Sequence, residues 1–165
     1  MGLKSAGLRA LGSLRMEKAY RDYGHDIDGT DTVLEAGLGF TCDYKKECGF
    51  VGMERTLEQK AGAKERGGFS QKMVQVLVDD PNPLLCHGEV LWRDGNPISE
   101  IRAASYGHTL NGALGLSMAV APEGDFVNKN FIKTGDWSID ISGKRFPCRL
   151  SFAPMYDPKS LRVKV

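Results

Sequence analysis

The chain has 165 residues, of which 41% are hydrophobic and 26% charged. Folding a chain of this length buries about two-thirds of its surface, enough for a core without disulfides or a structural metal. The net charge of +1, from 22 basic and 21 acidic residues, excludes a disordered polyelectrolyte and offers no broad basic surface. No apolar run reaches the roughly 18 residues of a membrane span. Neither nucleic acid nor a membrane is an expected partner.

Met1 to Met16 holds Lys4, Arg9 and Arg15 with Ser5 and Ser13 and no acid, the composition of a mitochondrial transit peptide. A folded helix accounts for it better. Leu3, Gly7, Ala10 and Leu14 recur at helical spacing with Leu8 and Leu11 beside them, and the pattern runs on through Glu17, Lys18 and Tyr20. The predicted helix covers Leu3 to Tyr23. Gly29-Thr30-Asp31-Thr32 reads as a turn. Leu34 to Cys42 is short, apolar and Gly-rich, which predicts a buried strand. Gly49 to Gly52 is a turn, and Met53 to Arg66 is a helix by its spacing and its ring of charges.

Beyond Arg66-Gly67-Gly68 the period changes. Met73 to Val78 alternates as a strand. Gly88 to Arg93 and Ile98 to Ala103 flank Asp94-Gly95, a hairpin signature. Ala113 to Ala121 is a further strand. Trp137 to Ile141 and Arg145 to Phe152 flank Ser142-Gly143-Lys144, a second hairpin. This strand density predicts a small antiparallel barrel or sandwich after about residue 70.

Self-contained chemistry is not visible. Cys42, Cys48, Cys86 and Cys148 form no C-x-x-C pair and are expected as free thiols. His25, His87 and His108 lie in separate segments with no metal-binding partner at i+4. Gly37-Leu38-Gly39 is followed by Phe40-Thr41-Cys42, which is no dinucleotide loop, and no phosphate-binding loop or nucleophile elbow occurs. Catalytic and metal residues are therefore expected to be none.

The string itself carries more. Leu14-Arg15-Met16-Glu17-Lys18-Ala19-Tyr20, Tyr23-Gly24-His25-Asp26-Ile27-Asp28, Leu34-Glu35-Ala36-Gly37-Leu38-Gly39-Phe40-Thr41 and Phe50-Val51-Gly52 follow in order. So do Val78-Asp79-Asp80-Pro81, Arg93-Asp94-Gly95, Ser105-Tyr106-Gly107-His108-Thr109-Leu110 and Tyr156-Asp157-Pro158 with Leu161-Arg162. Together they resemble the aminomethyltransferase, or glycine-cleavage T-protein, family. Within it they look most like the C-terminal folate-binding region of sarcosine and dimethylglycine dehydrogenases.

The resemblance implies an α+β chain. Residues 1–70 would be the C-terminal part of a folate-binding aminomethyltransferase domain, and residues 71–165 a small antiparallel Greek-key-like β-barrel. It implies tetrahydrofolate as the cofactor, held to capture the one-carbon unit of an oxidised N-methyl amine. FAD would serve only in a missing upstream region. The family's flavin motif and its catalytic Asp are absent here, so the chain is expected to be inactive alone, as a C-terminal piece or a very short member. Its expected partners are reduced folate and an upstream dehydrogenase region or partner subunit. Relatives act in the mitochondrial matrix in animals and in the cytoplasm of bacteria. The alternatives are a regulatory module like the pyruvate dehydrogenase phosphatase regulatory subunit, which resembles the same family, and a glycine-cleavage aminomethyltransferase.

Carried onto this chain, the resemblance gives Arg15 a folate-binding role, since a guanidinium matches glutamyl carboxylates with paired hydrogen bonds. Tyr20 and Tyr23 would wall a pterin ring, and Arg162 would stand near the folate in the tail. Glu35 and Gly37 are expected to build the turn that brings the first segment under the barrel.

Overall fold

In the computed structural model, helix α1 spans Leu8–Glu17. The structure describes residues 2, 4–162 and 164. Leu3, the expected start of this helix, lies outside the described residues. The helix stops short of Tyr23 because Lys18 caps it with ψ near 0° and Ala19 turns into the left-handed region at φ 51°. A non-glycine residue there costs free energy and ends a helix. Ser13, Met16 and Glu17 form its buried face. The leucines do not: Leu8, Leu11 and Leu14 are exposed. The expected apolar stripe thus faces solvent, while the polar side that carries Ser13 and Glu17 packs inward.

Residues 33–42 contain no strand. They form turns and a 3-10 segment, Gly39–Thr41. Local side-chain chemistry overrides the apolar pattern here. Glu35 accepts from the Thr32 hydroxyl and N–H, and the Thr32 hydroxyl in turn accepts the Glu35 N–H, a closed turn that competes with extended pairing. Backbone contact with the barrel still occurs, because the Glu35 carbonyl accepts the Met73 N–H at 2.8 Å.

Helix α2 occupies Met53–Arg66, with Gly52 and Gly67 at its two ends, both in the left-handed region. Six strands follow: β1 Gln71–Val78, β2 Val90–Arg93, β3 Asn96–Gly107, β4 Gly112–Val120, β5 Trp137–Ile141 and β6 Lys144–Ser151. A short helix, α3 (Lys129–Thr134), precedes β5 and was not signalled by periodicity; Asn128 caps it by accepting the Phe131 N–H.

All strand pairs are antiparallel, and the order β1-β4-β3-β2-β5-β6 closes into a barrel. The meander β2–β3–β4 brings β4 beside β1, which is the Greek-key return. Alternation sorts the side chains into two clusters. Val74, Val76, Val78, Leu91, Ile101, Ala113, Ala119, Ile139 and Cys148 form one with Phe131 and Trp137. Met73, Leu77, Leu114, Leu116 and Met118 point the other way, onto Met16 and Ala19. Helix α1 is therefore fixed on the outside of β1, β3 and β4, and its C-terminal end is held at a defined place on the barrel wall.

Candidate functional site

The segment that follows α1 is anchored by one buried carboxylate. Asp26 is 1% exposed. It accepts Arg15 Nη1 at 2.6 Å, Arg15 Nη2 at 3.4 Å and the Asp22 N–H at 2.9 Å. Arg15 Nη1 also donates to the Tyr20 carbonyl at 3.1 Å. The Asp26 carbonyl takes Arg102 Nη1 at 3.1 Å, and that same nitrogen pairs with Asp31 at 2.6 Å. These contacts clamp residues 15–31 to the barrel and present Ala19–Arg21 at a fixed angle.

The C-terminal tail is tied to the same place. Lys18 Nζ donates to the Asp157 carbonyl at 2.6 Å, to Asp157 Oδ2 at 3.3 Å and to Ser160 Oγ at 3.1 Å. The N–H groups of Leu161 and Arg162 also point at the Asp157 carboxylate. Desolvation pushes the Asp157 carboxyl up, but these donors together hold it below its ordinary range. Gln75 is 2% exposed, in β1 behind both segments. Its Nε2 donates to the Met16 carbonyl at 2.7 Å and the Glu17 carbonyl at 3.3 Å, while its Oε1 accepts the Met155 N–H at 2.7 Å. One buried amide therefore joins the end of α1 to the tail.

Between the two segments lies a cleft of about 530 Å³. Residues 18–21 form one side, Gly37, Leu38 and Phe40 the second, and Phe152, Pro154, Pro158 and Ser160 the third. Its size and its mix of aromatic, apolar and cationic groups suit a small organic ligand. A cleft of about 550 Å³ beside Arg93 and Asp94 is a weaker candidate. There the Arg93 guanidinium already meets Asp94 at 3.5 Å and lies over Phe131 at 4.0 Å.

Of the residues expected from the sequence, Tyr20 lines the cleft and is about half exposed. Arg15 does not line it; its fork is engaged by Asp26. Tyr23 is 72% exposed in the 22–27 loop, whose Gly24 N–H bonds the Ile27 carbonyl. Arg162 is exposed, follows the Asp157–Ser160 turn and lies outside the lining. Three lining residues went unnoticed in the sequence. Phe40 and Phe152 read there as parts of predicted strands. Arg21 falls within the helix predicted over Leu3 to Tyr23, four residues after Glu17, a spacing at which the two would pair on a helix surface. In the structure Glu17 instead accepts the Thr109 N–H at 2.6 Å and the Thr109 hydroxyl at 3.0 Å. Burial lowers the Arg21 pKa, with the Asp26 charge opposing the fall. Among the described residues, no group of three or more His, Cys, Asp or Glu side chains is placed to hold a metal ion. No helix among them is long and apolar enough to cross a membrane.

Comparison with known proteins finds matches to two segments of the chain. Residues 71–157 match the glycine cleavage T-protein C-terminal barrel domain, and residues 1–46 match the GCVT N-terminal domain. The chain belongs to the glycine cleavage T-protein C-terminal barrel family. It is 37% identical to 4-methylaminobutanoate oxidase (formaldehyde-forming) of Paenarthrobacter nicotinovorans, over 99% of this chain and 18% of that protein. It is 32% identical to mitochondrial sarcosine dehydrogenase of Homo sapiens, over 99% of this chain and 17% of that protein. The chain thus spans less than a fifth of the length of these relatives. The crystal structure of glycine cleavage system aminomethyltransferase T from Bartonella henselae shares the fold with a TM-score of 0.64 at 21% identity, covering 86% of this chain and 37% of that one.

Proposed function

We propose that this chain is the folate-side module of a protein related to sarcosine dehydrogenase, and that the cleft between Tyr20, Phe40 and Phe152 holds a reduced folate. The observation that carries this reading is the composition of the cleft. Its near side comes from the segment matched to the GCVT N-terminal domain, and its far side from the end of the barrel. In this reading residues 1–70 belong to a folate-binding domain and residues 71–165 are the barrel that closes the site. Tetrahydrofolate, when bound, supplies the nitrogens that accept a one-carbon unit from an N-methyl amine oxidised elsewhere. The chain's own residues bind and orient. Tyr20, Phe40 and Phe152 offer ring faces, and the Lys18–Asp157 pair fixes the distance between the walls. Positioning of this kind is worth several of the roughly 7–11 kcal/mol available from proximity.

Arg15 acts in this scheme as a positioning residue, holding Tyr20 through its carbonyl and the 22–26 turn through Asp26. Tyr23 and Arg162 are assigned to the parts of a ligand that project beyond the cleft. The redox step and its FAD belong to a flavin region that these residues do not form, so no step is routed through them. The module's partner is then that region, in the same polypeptide or a separate subunit. The setting follows the relatives, the mitochondrial matrix being that of the sarcosine dehydrogenases. The test is calorimetric titration of the chain with 5-formyltetrahydrofolate, a stable reduced folate. Saturable binding that Phe152→Ala weakens about tenfold, a fraction of a base-stacking contribution, is the expected result. No saturable heat at millimolar ligand, or binding indifferent to Phe152→Ala and Tyr20→Ala, overturns the reading.

A further inference from the structure

The charges around the cleft do not balance, and the imbalance sits on one residue. The lining contains two cations, Lys18 and Arg21, and no acid. Lys18 is matched: its ammonium has Asp157 and Ser160 as partners. Arg21 is not. Its Nε donates to the Ala36 carbonyl at 3.0 Å and its Nη1 to the Ala19 carbonyl. Both partners are neutral. Among the described residues no carboxylate lies within ion-pair distance of Arg21, and its Nη2 makes no hydrogen bond.

Gly37 keeps the space beside that nitrogen open. A β-carbon there would stand 3.0 Å from Arg21 Nη2, and the backbone at φ +73° favours glycine in any case. Two carbonyls thus hold the guanidinium through Nε and Nη1, while Nη2 stays unbonded in a residue that lines the cleft with Tyr20, Leu38, Phe40 and Phe152. The nearest carboxylate, Asp26, acts on Arg21 only at a distance and is already paired with Arg15, so an arriving anion offsets the cost of holding this partly desolvated cation. The anion meets a guanidinium already fixed by two bonds, so little ordering entropy is lost.

We propose that Arg21, through its unbonded Nη2, is the anion-recognising residue of this cleft, and that the ligand it selects joins an aromatic ring to a carboxylate. The identity of that ligand as the aminobenzoylglutamate end of a folate rests on the reading above; the requirement for an anion rests on the geometry alone. Arg15 does not compete for the role, because Asp26 already neutralises it. The aromatic requirement follows from the walls: a simple inorganic anion would satisfy Nη2 and leave the apolar faces of Phe40 and Phe152 unused.

The experiment is an NMR titration of the ¹⁵N-labelled chain, following the Arg21 Nε–H and Gly37 N–H signals. The probes are 4-aminobenzoylglutamate and its diamide, which has the same ring and no negative charge. The diacid is expected to shift both signals saturably, and the diamide at least about tenfold more weakly, as a charge-assisted pair predicts. Arg21→Gln abolishes the difference between the two probes, and Arg21→Lys restores part of it by keeping the charge without the fork. Equal binding of diacid and diamide by the wild-type chain overturns the proposal, as does a diacid that moves neither signal. A diacid response without any binding of 5-formyltetrahydrofolate would leave Arg21 as an aromatic-carboxylate site and refute the folate reading. Folate binding that Arg21→Gln does not weaken refutes the role of Arg21 and spares the folate reading.

Discussion

Replacing Gln75 by Leu removes the buried amide that joins α1 to the tail while nearly preserving volume. The loss is asymmetric. The Met16 carbonyl keeps a second donor, the Ala19 N–H at 3.0 Å, but the Met155 N–H has Gln75 Oε1 as its partner at 2.7 Å. Leaving one buried N–H unpaired costs about 1–3 kcal/mol, and losing the bonds to the two helix-end carbonyls adds about 1 kcal/mol. The expected destabilisation is therefore about 2–4 kcal/mol, which for a chain of this length lowers the Tm by about 4–16 °C. Thermal unfolding followed by far-ultraviolet circular dichroism measures it, with Gln71→Leu at the start of the same strand as the control. Native-state hydrogen exchange adds a local readout: the Met155 amide should lose its protection before the strand amides of β1 do. A Tm unchanged to within about 2 °C, with Met155 still protected, would show that the amide does not join the two segments.

Three other perturbations test separate parts of the structure. Gly68→Ala places a β-carbon 2.9 Å from Phe126 Cβ and 3.0 Å from the Val127 carbonyl oxygen, so the junction between α2 and β1 must shift, at a cost of about 1–3 kcal/mol by denaturant titration. Asp26→Ala leaves the Arg15 guanidinium and the Asp22 N–H without their partner and should cost about 3–5 kcal/mol, with Asp26→Asn milder because it still accepts one bond. Cys148 is buried, and its pKa is pushed up to about 12 by desolvation first and by Asp79 and Asp136 second. The unfolded thiol ionises near pH 9, so this contribution to stability is intact below pH 9. It is lost as pH rises towards 12, at up to about 1.4 kcal/mol per pH unit. Urea midpoints measured from pH 8 to 10.5 should fall more steeply in the wild-type chain than in Cys148→Ala.

The strongest sequence features were those with a local cause. Gly52 and Gly67 bracket α2, and Asp94-Gly95 turns β2 into β3, so these elements stand where the pattern put them. Where a distant or side-chain contact decides the outcome, the pattern misled. Leu34 to Cys42 reads as a strand because its apolar content is visible and the Thr32–Glu35 turn is not. The predicted helix runs six residues past the C-terminal end of α1 because nothing in Ala19 announces a left-handed backbone. The face of α1 was inverted for a related reason: Ser13 and Glu17 are inward only because the Tyr106 carbonyl and the Thr109 N–H await them on β3 and the following turn. As residue types Arg15 and Arg21 are indistinguishable in the sequence. Only the fold separates them: Asp26 pairs with the first, while the second bonds two backbone carbonyls and lines the cleft.

The barrel's order of pairing has a consequence for how the chain is made. Strand β1 lies between β4 and β6, so one of its edges stays open until the last strand has been synthesised, and the tail that walls the cleft comes later still. A nascent chain ending before Ser151 would carry two unpaired edges and the uncovered faces of Val76 and Val78, the conditions that favour intermolecular strand pairing. Ligand competence therefore arrives last. A bound ligand would report, at the ribosome or in a proteolytic digest, that the whole ring of strands had already closed.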